Sequence, residues 1–270
     1  MQQTTKIIQK RYEGFLQTNC LWKSNSVYGL HAFEIEATSS KIDIIIDEKL
    51  RLGKYVERFV SYQLQQEYNI SIICENIQIQ REKITLGELD CIVLKDKKTI
   101  HLEIIYKFYL YDPLVGVTEI EHFIGPNRKD SLVDKLTKLK EKQLPLLYAS
   151  ECLNYLKTID LDVDKIEQQV YFKAQLFVPL SEENIVLNEL NQECVVGFYI
   201  NKKELEQFKE CKFFIPNKKD WLIIAHQNVA WIDFYRFKEK SSKYLEREFS
   251  PLCWMKKSNG EIKKLFLVWW

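Results

Sequence analysis

Side-chain alternation in Leu86–Leu110 restricts the fold more than any other feature of this sequence. The stretch LGELDCIVLKDKKTIHLEIIYKFYL contains two runs with the period of a β-strand, separated by the polar segment LKDKKT. A two-residue turn at Asp96 and Lys97 would join the runs into an antiparallel hairpin and place Asp90 opposite Glu103. Like charges that face each other across a hairpin are destabilising, so we expect a positive group between them.

The strand face that carries these carboxylates also carries apolar residues. In period two, Glu103 and Lys107 share a face with Ile105, and Asp90 shares a face with Ile92. A solvated face of the hairpin is the ordinary explanation for such charges, but the apolar neighbours indicate a partly covered surface. We therefore treat these charged residues as candidate site residues.

Carboxylates in this arrangement suit a hard divalent cation such as Mg²⁺ or Mn²⁺, which binds carboxylate oxygens, waters and substrate phosphates. Asp90 and Glu103 on adjacent strands would supply two ligands, and a bound cation would relieve their repulsion. Glu57, at the edge of the apolar stripe of the preceding helix, is a further candidate ligand. Lys107 lies about 13 Å from Glu103 along an extended strand. It is a candidate for positioning an attacking hydroxide or stabilising charge that develops on a phosphate.

Composition limits the class of protein. The 270 residues carry a formal net charge of +1, which argues against a strongly basic nucleic-acid binder but leaves room for a local basic patch. The seven cysteines are dispersed and contain no CxxC pair, a pattern typical of free thiols in a reducing cytoplasm. We find no signal-peptide run and no apolar stretch long enough to span a bilayer, so we expect a soluble cytoplasmic protein without a membrane partner.

Hydrophobic periodicity predicts the order of elements around the hairpin. LGKYVERFVSYQLQQEY is a predicted helix, NISIICENIQIQ a strand, SLVDKLTKLKEKQL a helix and IEQQVYFKAQLFVPL a strand, with a short extra helix possible in LLYASECLNYL. After Pro179, strand-like runs such as WLIIAHQ and KKLFLVWW mix with helix-like segments. We expect a mostly helical lead-in over 1–50, a core with the order α-β-β-β-α-β over 51–180, and an α+β extension packed on it over 181–270.

Five motifs carry a resemblance to known families. GELD followed by a hydrophobic strand with Glu and Lys resembles the PD-(D/E)XK nuclease superfamily, whose core is α-β-β-β-α-β. More narrowly, LGKYVERF, LGELDCIV, HLEIIYKFYL, FIGPNRKDSLVDKL and KEKQLPL together resemble a bacterial domain-of-unknown-function family, numbered eighteen fifty-three, that is grouped with those nucleases. The resemblance covers Leu52–Leu146, and the C-terminal region follows more loosely. It implies an α/β (α+β), restriction-endonuclease-like fold with a mixed central sheet.

The superfamily resemblance also implies roles for site residues. It implies three acidic catalytic residues that bind the metal: Glu57, Asp90 and Glu103. The backbone carbonyl of Ile104 would assist, and Lys107 would be the catalytic lysine. The superfamily has Glu-x-Lys, whereas this sequence has Ile105 in the lysine position and places the lysine two residues later, about 7 Å along the strand.

Basic residues in and before the second helix form a candidate phosphate-contacting stripe. They are Arg128, Lys129, Lys135, Lys138 and Lys142. A solvated helix face balanced by Asp134 and Glu141 explains them equally well. Two polar residues near the predicted site, Gln143 and His101, are candidates for supporting roles.

The leading hypothesis from the sequence is a nuclease that depends on Mg²⁺ or Mn²⁺ and acts on nucleic acid, with DNA favoured over RNA as the substrate class. A metal-activated water would attack phosphorus while the metal neutralises the developing charge. The alternative is a catalytically weak or inactive nuclease-fold protein that binds nucleic acid or another protein. The displaced lysine and the near-neutral charge motivate this alternative. A third hypothesis is metal-dependent hydrolysis of another phosphate ester.

Overall fold

The computed structural model describes residues 2–23, 26–35, 39–182 and 184–270. This part of the chain is a mixed α/β protein with five α-helices and a large mixed sheet. The helices are α1 (Gln2–Gln17), α2 (Leu52–Gln66), α3 (Leu132–Lys138), α4 (Ser150–Thr158) and α5 (Phe234–Leu245). The strands are β1 (Ser26–Val27), β2 (Leu30–His31), β3 (Ile70–Arg81), β4 (Ile84–Lys95), β5 (Lys98–Tyr111), β6 (Phe123–Ile124), β7 (Ile166–Pro179), β8 (Val195–Ile200), β9 (Lys212–Phe214), β10 (Leu252–Lys256) and β11 (Ile262–Leu267). No helix in these described ranges combines the length and apolarity needed to cross a membrane.

The predicted hairpin is confirmed. β4 and β5 pair antiparallel, with Cys91 opposite Leu102 and Lys95 opposite Lys98. The turn consists of Asp96 and Lys97, both with positive φ (47° and 70°), a backbone that suits the right-handed twist of the flanking strands. The paired residues end at Cys91, one residue after Asp90 in the sequence, and their register is the one that the sequence predicted.

Contacts divide the chain into two compact units, and the first contains the hairpin. It comprises Met1–Ile8, Cys20–Lys107 and Asp134–Lys173. Its strand order is β3-β4-β5-β7, with α2 packed on β3. The buried face of α2 follows helical spacing and includes Tyr55 and Phe59. The elements α2, β3, β4, β5, α3 and β7 follow one another along the chain in the predicted order, with the two-residue strand β6 and the helix α4 inserted.

The second helix of the predicted core is not a regular α-helix, contrary to our expectation. After α3 the chain continues as a π-helical turn, Leu139–Gln143, and then as a 3₁₀ turn, Leu144–Tyr148. The N–H of Leu144 donates to the carbonyl of Leu139, which is the wider hydrogen-bond spacing of a π-helix. Pro145 explains the change because it has no N–H and its ring collides with the carbonyl four residues earlier in an α-helix.

The second unit comprises Gln9–Asn19, Phe108–Val133 and Ala174–Trp270. Within it the strand order is β7-β8-β11-β10-β9, and β7, β8 and β11 are parallel neighbours. The antiparallel strands β10 and β9 complete this order. Phe213 and Phe237 stack at 4.1 Å in the core beneath α5.

After Pro179, one predicted strand was incorrect and one strand was missed. WLIIAHQ is not a strand, because a 3₁₀ helix (Lys218–Leu222) is followed there by irregular chain. Trp221 is buried edge-on against Phe108 and Phe266, so the apolar run reflects burial rather than sheet pairing. We also missed β10, whose residues the sequence did not single out.

Candidate metal centre

Three carboxylates from α2 and β4 meet in the first unit. Glu57, Glu88 and Asp90 each offer an oxygen, and these oxygens all lie within 4.8 Å of one another. Glu88 and Asp90 are two residues apart on β4 and therefore share a face, while the intervening Leu89 is fully buried on the other face. Glu57 is buried at the edge of the packed face of α2. The site thus depends on one turn of helix facing one strand.

Lys54 is a positive group among these three carboxylates. Its Nζ lies 2.7 Å from Glu57 Oε2, contacts Glu88 Oε1 and lies 3.8 Å from Asp90 Oδ1. Nζ also donates to Asn76 Oδ1 at 3.3 Å. Burial opposes the charged form of Lys54, but the hydrogen bonds to Glu57 and Glu88 outweigh it and raise the pKa of this lysine. One ammonium group therefore neutralises part of a three-carboxylate cluster.

Asp90 is the most perturbed carboxyl group of the cluster. Burial, followed by repulsion from Glu103, raises its pKa to about 7. The Ile104 N–H donates to Asp90 Oδ2 at 3.0 Å and opposes this shift, as does the more distant charge of Lys54. Burial also raises the pKa of Glu57, against the effect of its hydrogen bond to Lys54. Both groups therefore retain a proton at a higher pH than ordinary carboxyl groups.

Glu103 lies beside this cluster and is held by different partners. Its side chain is completely buried, and Oε2 accepts a hydrogen bond from Gln143 Nε2 at 2.5 Å. Its Oε1 lies 3.3 Å from Nε2 of the equally buried His101, but neither atom has a partner in hydrogen-bond geometry. The other nitrogen of His101, Nδ1, lies 3.0 Å from Gln168 Nε2. A buried carboxylate oxygen thus retains capacity for a further positive or hydrogen-bonding partner.

Lys135 on α3 joins the site through Gln143. Its Nζ donates to Gln143 Oε1 at 2.7 Å, which links Lys135 to Glu103 through one amide. Burial lowers the pKa of Lys135 to about 8, against the attraction of Glu103 and Asp90, and the charge of Lys107 contributes to the lowering. The π-helical turn follows Lys135 along the chain and ends at Gln143, so the irregular helix sets the position of the amide.

The structure brings some predicted site residues together and separates others. Glu57 and Asp90 belong to the cluster, Glu103 is adjacent to Asp90, and Lys107 is half-buried close enough to influence Lys135. The residues that sequence reasoning missed are Glu88 and Lys54. Their signals were present: Glu88 shares a strand face with Asp90, and Lys54 precedes Glu57 by three residues, close to one helical turn.

The predicted basic stripe divides between the two units. Lys138 and Lys142 are exposed residues of the first unit, in α3 and the π-helical turn. Arg128 and Lys129 are exposed residues of the second unit. Arg128 pairs with the buried Asp112 and lies over the Trp270 ring at 4.1 Å. The structure thus gives Arg128 a local partner within its own unit.

The fold and the cluster define a mixed α/β protein with a lysine-bridged acidic site beside a β-hairpin. The chain belongs to the family described as Domain of unknown function (DUF1853), whose family model matches residues 7–268. Membership of this family is what the five motifs predicted. No curated protein and no solved structure matches the chain.

Proposed function

We propose that this protein is a phosphodiesterase that depends on Mg²⁺ or Mn²⁺ and hydrolyses nucleic acid. The supporting observation is the convergence of three carboxylate oxygens from Glu57, Glu88 and Asp90 within 4.8 Å. Hard divalent cations prefer such oxygen donors. The ammonium of Lys54 lies between Glu57 and Glu88, so a positive charge is favourable at that position. These residues therefore fit such a cation, provided that Lys54 moves aside.

A bound cation supplies a water of lowered pKa and neutralises charge on the phosphate. The chain's own groups prepare the site for this chemistry. The Ile104 N–H orients Asp90, and Gln143 orients the buried Glu103. These fixed contacts keep the carboxylates in place when substrate phosphates approach.

We assign the role of the catalytic lysine to Lys135 and a supporting electrostatic role to Lys107. The pKa of Lys135 is lowered to about 8, close to the range in which a group both holds and transfers a proton at neutral pH. Its electrostatic attraction to Asp90 and Glu103 supports a position next to the cluster. Lys135 would stabilise the phosphate or protonate the leaving oxygen, and Lys107 would help to set its pKa.

Nucleic acid, DNA in preference to RNA, is the substrate class that we propose. The exposed Lys138 and Lys142 follow Lys135 along the same helical segment and suit contacts with successive phosphates. The restriction-endonuclease-like fold expected from the motifs belongs to this proposal as well.

A second candidate function is binding without turnover. It is favoured by the pairing of Lys54 with Glu57 and Glu88, which neutralises part of the cluster's charge without a metal. In that case the nuclease-like site would be a structural remnant, and the protein would bind nucleic acid or a protein partner.

Calorimetric titration of Mn²⁺ tests the proposal without assuming a substrate. We expect wild type to bind Mn²⁺, Asp90→Asn to bind at least about tenfold more weakly, and Glu141→Gln to bind like wild type. Glu141 is a matched control because it is an exposed carboxylate of the same unit. Cleavage of labelled single- and double-stranded DNA and RNA by wild type in Mn²⁺, and not by Asp90→Asn, would then support nuclease activity.

Lys54→Met distinguishes the two candidate functions. If the protein is a nuclease, the wild-type protein should bind Mn²⁺, and the Lys54→Met variant should bind it more tightly because the competing ammonium is removed. If the protein is a binding module, only the Lys54→Met variant should bind Mn²⁺, and neither the wild type nor the variant should cleave nucleic acid. Absence of Mn²⁺ binding by both proteins, with and without a non-cleavable phosphorothioate DNA, would refute the metal centre.

A further inference from the structure

A cavity of about 480 Å³ lies in the second unit, and none of the carboxylate-cluster residues lines it. Its walls come from the end of α1, from β8 and β11, and from the chain around Leu222. A side chain at Gly14 would place its Cβ 1.8 Å from the Leu222 carbonyl oxygen, so only glycine allows α1 to approach this segment. Most of the wall is apolar and includes Val178, Val195, Phe198, Leu222, Ile224 and Ile262.

Lys264 is a partly buried cation that lines this cavity. Its Nζ donates to Gln175 Oε1 at 3.1 Å and to the Trp221 carbonyl at 3.3 Å. Both acceptors are neutral. An ammonium group has three N–H donors, so these two contacts leave one donor for a ligand.

A chain of buried polar groups fixes the acceptor for Lys264. Gln175 is only 3% exposed, and its Nε2 lies 3.5 Å from Thr18 Oγ1. Thr18 in turn donates to the Gly14 carbonyl at 2.9 Å. The amide of Gln175 is therefore oriented with its oxygen toward Lys264. Gln175, Thr18 and Lys264 all line the same cavity.

The described residues that line the cavity include no aspartate or glutamate. Burial is the only cause that lowers the pKa of Lys264, to about 8, so no carboxylate compensates its charge. The second lining lysine, Lys263, lies 3.9 Å from Glu261 and near the Phe198 ring. A partly buried ammonium without a counter-ion loses hydration without a compensating charge, and a bound anion would relieve that penalty.

We propose that this cavity binds a small carboxylic acid with an apolar body, whose carboxylate pairs with Lys264. The third N–H of Lys264 and the absence of a lining carboxylate favour a monoanion at one end. The aliphatic and aromatic walls favour an apolar chain for the rest of the ligand. The volume lies within the range of small-molecule sites.

Hexanoate is the probe for this site, and hexanamide is its neutral counterpart. In calorimetric titrations we expect hexanoate to bind wild type at least about tenfold more tightly than hexanamide does. Lys264→Gln should lose this preference for the anion, whereas Lys263→Gln should keep it. Thermal melts of each variant establish that the proteins are folded.

Protection from acylation tests the site in wild-type protein, so the result does not depend on the folding of a variant. We expect hexanoate to slow the modification of Lys264 by an acetylating reagent at pH 8, measured by peptide mass spectrometry, while the rate at Lys202 stays constant. Lys202 is an exposed lysine of the same unit.

Two results would overturn the carboxylate site. Equal binding of hexanoate and hexanamide would mean an apolar cavity without an anion subsite. Absence of both binding and protection would mean that Gln175 and Trp221 alone satisfy Lys264. Neither result bears on the proposed nuclease activity, because Glu57, Glu88 and Asp90 are not part of this cavity.

Discussion

At the scale of single residues, the acidic cluster contains more negative charge than Lys54 neutralises. Lys54 contacts Glu57 and Glu88 and lies 3.8 Å from Asp90, while Glu103 repels Asp90 from the other side. Asp90 responds by holding its proton up to a pKa of about 7. A divalent cation would replace both that proton and the contact with Lys54. The perturbed pKa of Asp90 is consistent with the metal site that we propose.

Asp90→Asn should stabilise the metal-free protein, increasingly as pH rises. The folded pKa of about 7 exceeds the ordinary value of 3.8, so the contribution of Asp90 to stability is fully present below pH 3.8 and is lost as pH rises through 7. Asparagine cannot ionise, so it removes this loss of stability, and its side-chain oxygen still accepts the hydrogen bond from the Ile104 N–H. In urea denaturation with a chelator, we expect a gain on the order of 1–3 kcal/mol at pH 8 and little or none at pH 4.

Glu141→Gln is the control for this pH dependence, since Glu141 is an exposed carboxylate outside the cluster. Because this side chain is exposed, the substitution should change the free energy of unfolding little. If Asp90→Asn showed the same difference at both pH values, burial and Glu103 would not be raising the pKa of Asp90.

Sequence patterns identified the acidic residues of the site better than their partners. Period two within β4 and β5 placed Asp90 and Glu103 side by side, because local alternation decides which face a strand residue occupies. Glu88 was missed although it shares a strand face with Asp90, and Lys54 was missed because spacing along a helix does not specify which turn meets which strand. That meeting depends on tertiary packing of α2, as does the approach of Lys135 from α3.

At the scale of elements, the hairpin and the helices differ in how far their sequences determine them. The turn of the hairpin follows from the polar break between two alternating runs, and its register follows from the turn. The π-helical turn Leu139–Gln143 could not be read from apolar spacing, although Pro145 marked the place where a regular helix must end. WLIIAHQ was misassigned because a short apolar run fits a strand and a buried irregular segment equally well.

Lys97→Gly should stabilise the hairpin that carries the site. Lys97 has φ of 70°, in the left-handed region that is unfavourable for side chains and open to glycine. Asp96 should be retained, because its carboxylate accepts hydrogen bonds from Asn69 at 3.0 Å. We expect a gain of about 0.5–1 kcal/mol in the free energy of unfolding, measured by chemical denaturation.

Lys83→Gly is the matched control for the turn substitution. Lys83 lies in the turn between β3 and β4, but it is not among the described residues with positive φ. Glycine there adds freedom to the unfolded chain without relieving strain, so stability should fall or stay constant. Stabilisation of equal size by both substitutions would contradict the argument from backbone conformation.

At the scale of the whole molecule, charge is nearly balanced. A formal net charge of +1 provides no long-range attraction for a polyanion, so nucleic-acid binding would depend on local groups. Lys138 and Lys142 are the exposed lysines next to the proposed site. Because the net charge is close to zero, the contribution of particular lysines to nucleic-acid binding can be measured separately from attraction by total charge.

The salt dependence of DNA binding measures these contacts. Each lysine that contacts a phosphate of duplex DNA adds about 0.9 to the slope of log affinity against log salt concentration. We expect Lys138→Gln/Lys142→Gln to lower that slope by about 1.8 if both lysines contact phosphates. Fluorescence anisotropy with a chelator present provides the measurement without cleavage.

Lys202→Gln/Lys203→Gln provides the control, because it removes the same two charges from exposed positions in the second unit. Either double variant changes the formal net charge from +1 to −1. If the slope falls only for the pair at 138 and 142, local contacts bind the phosphates. An equal fall for both pairs would assign the effect to total charge, and an unchanged slope for both would remove Lys138 and Lys142 from the proposed interface.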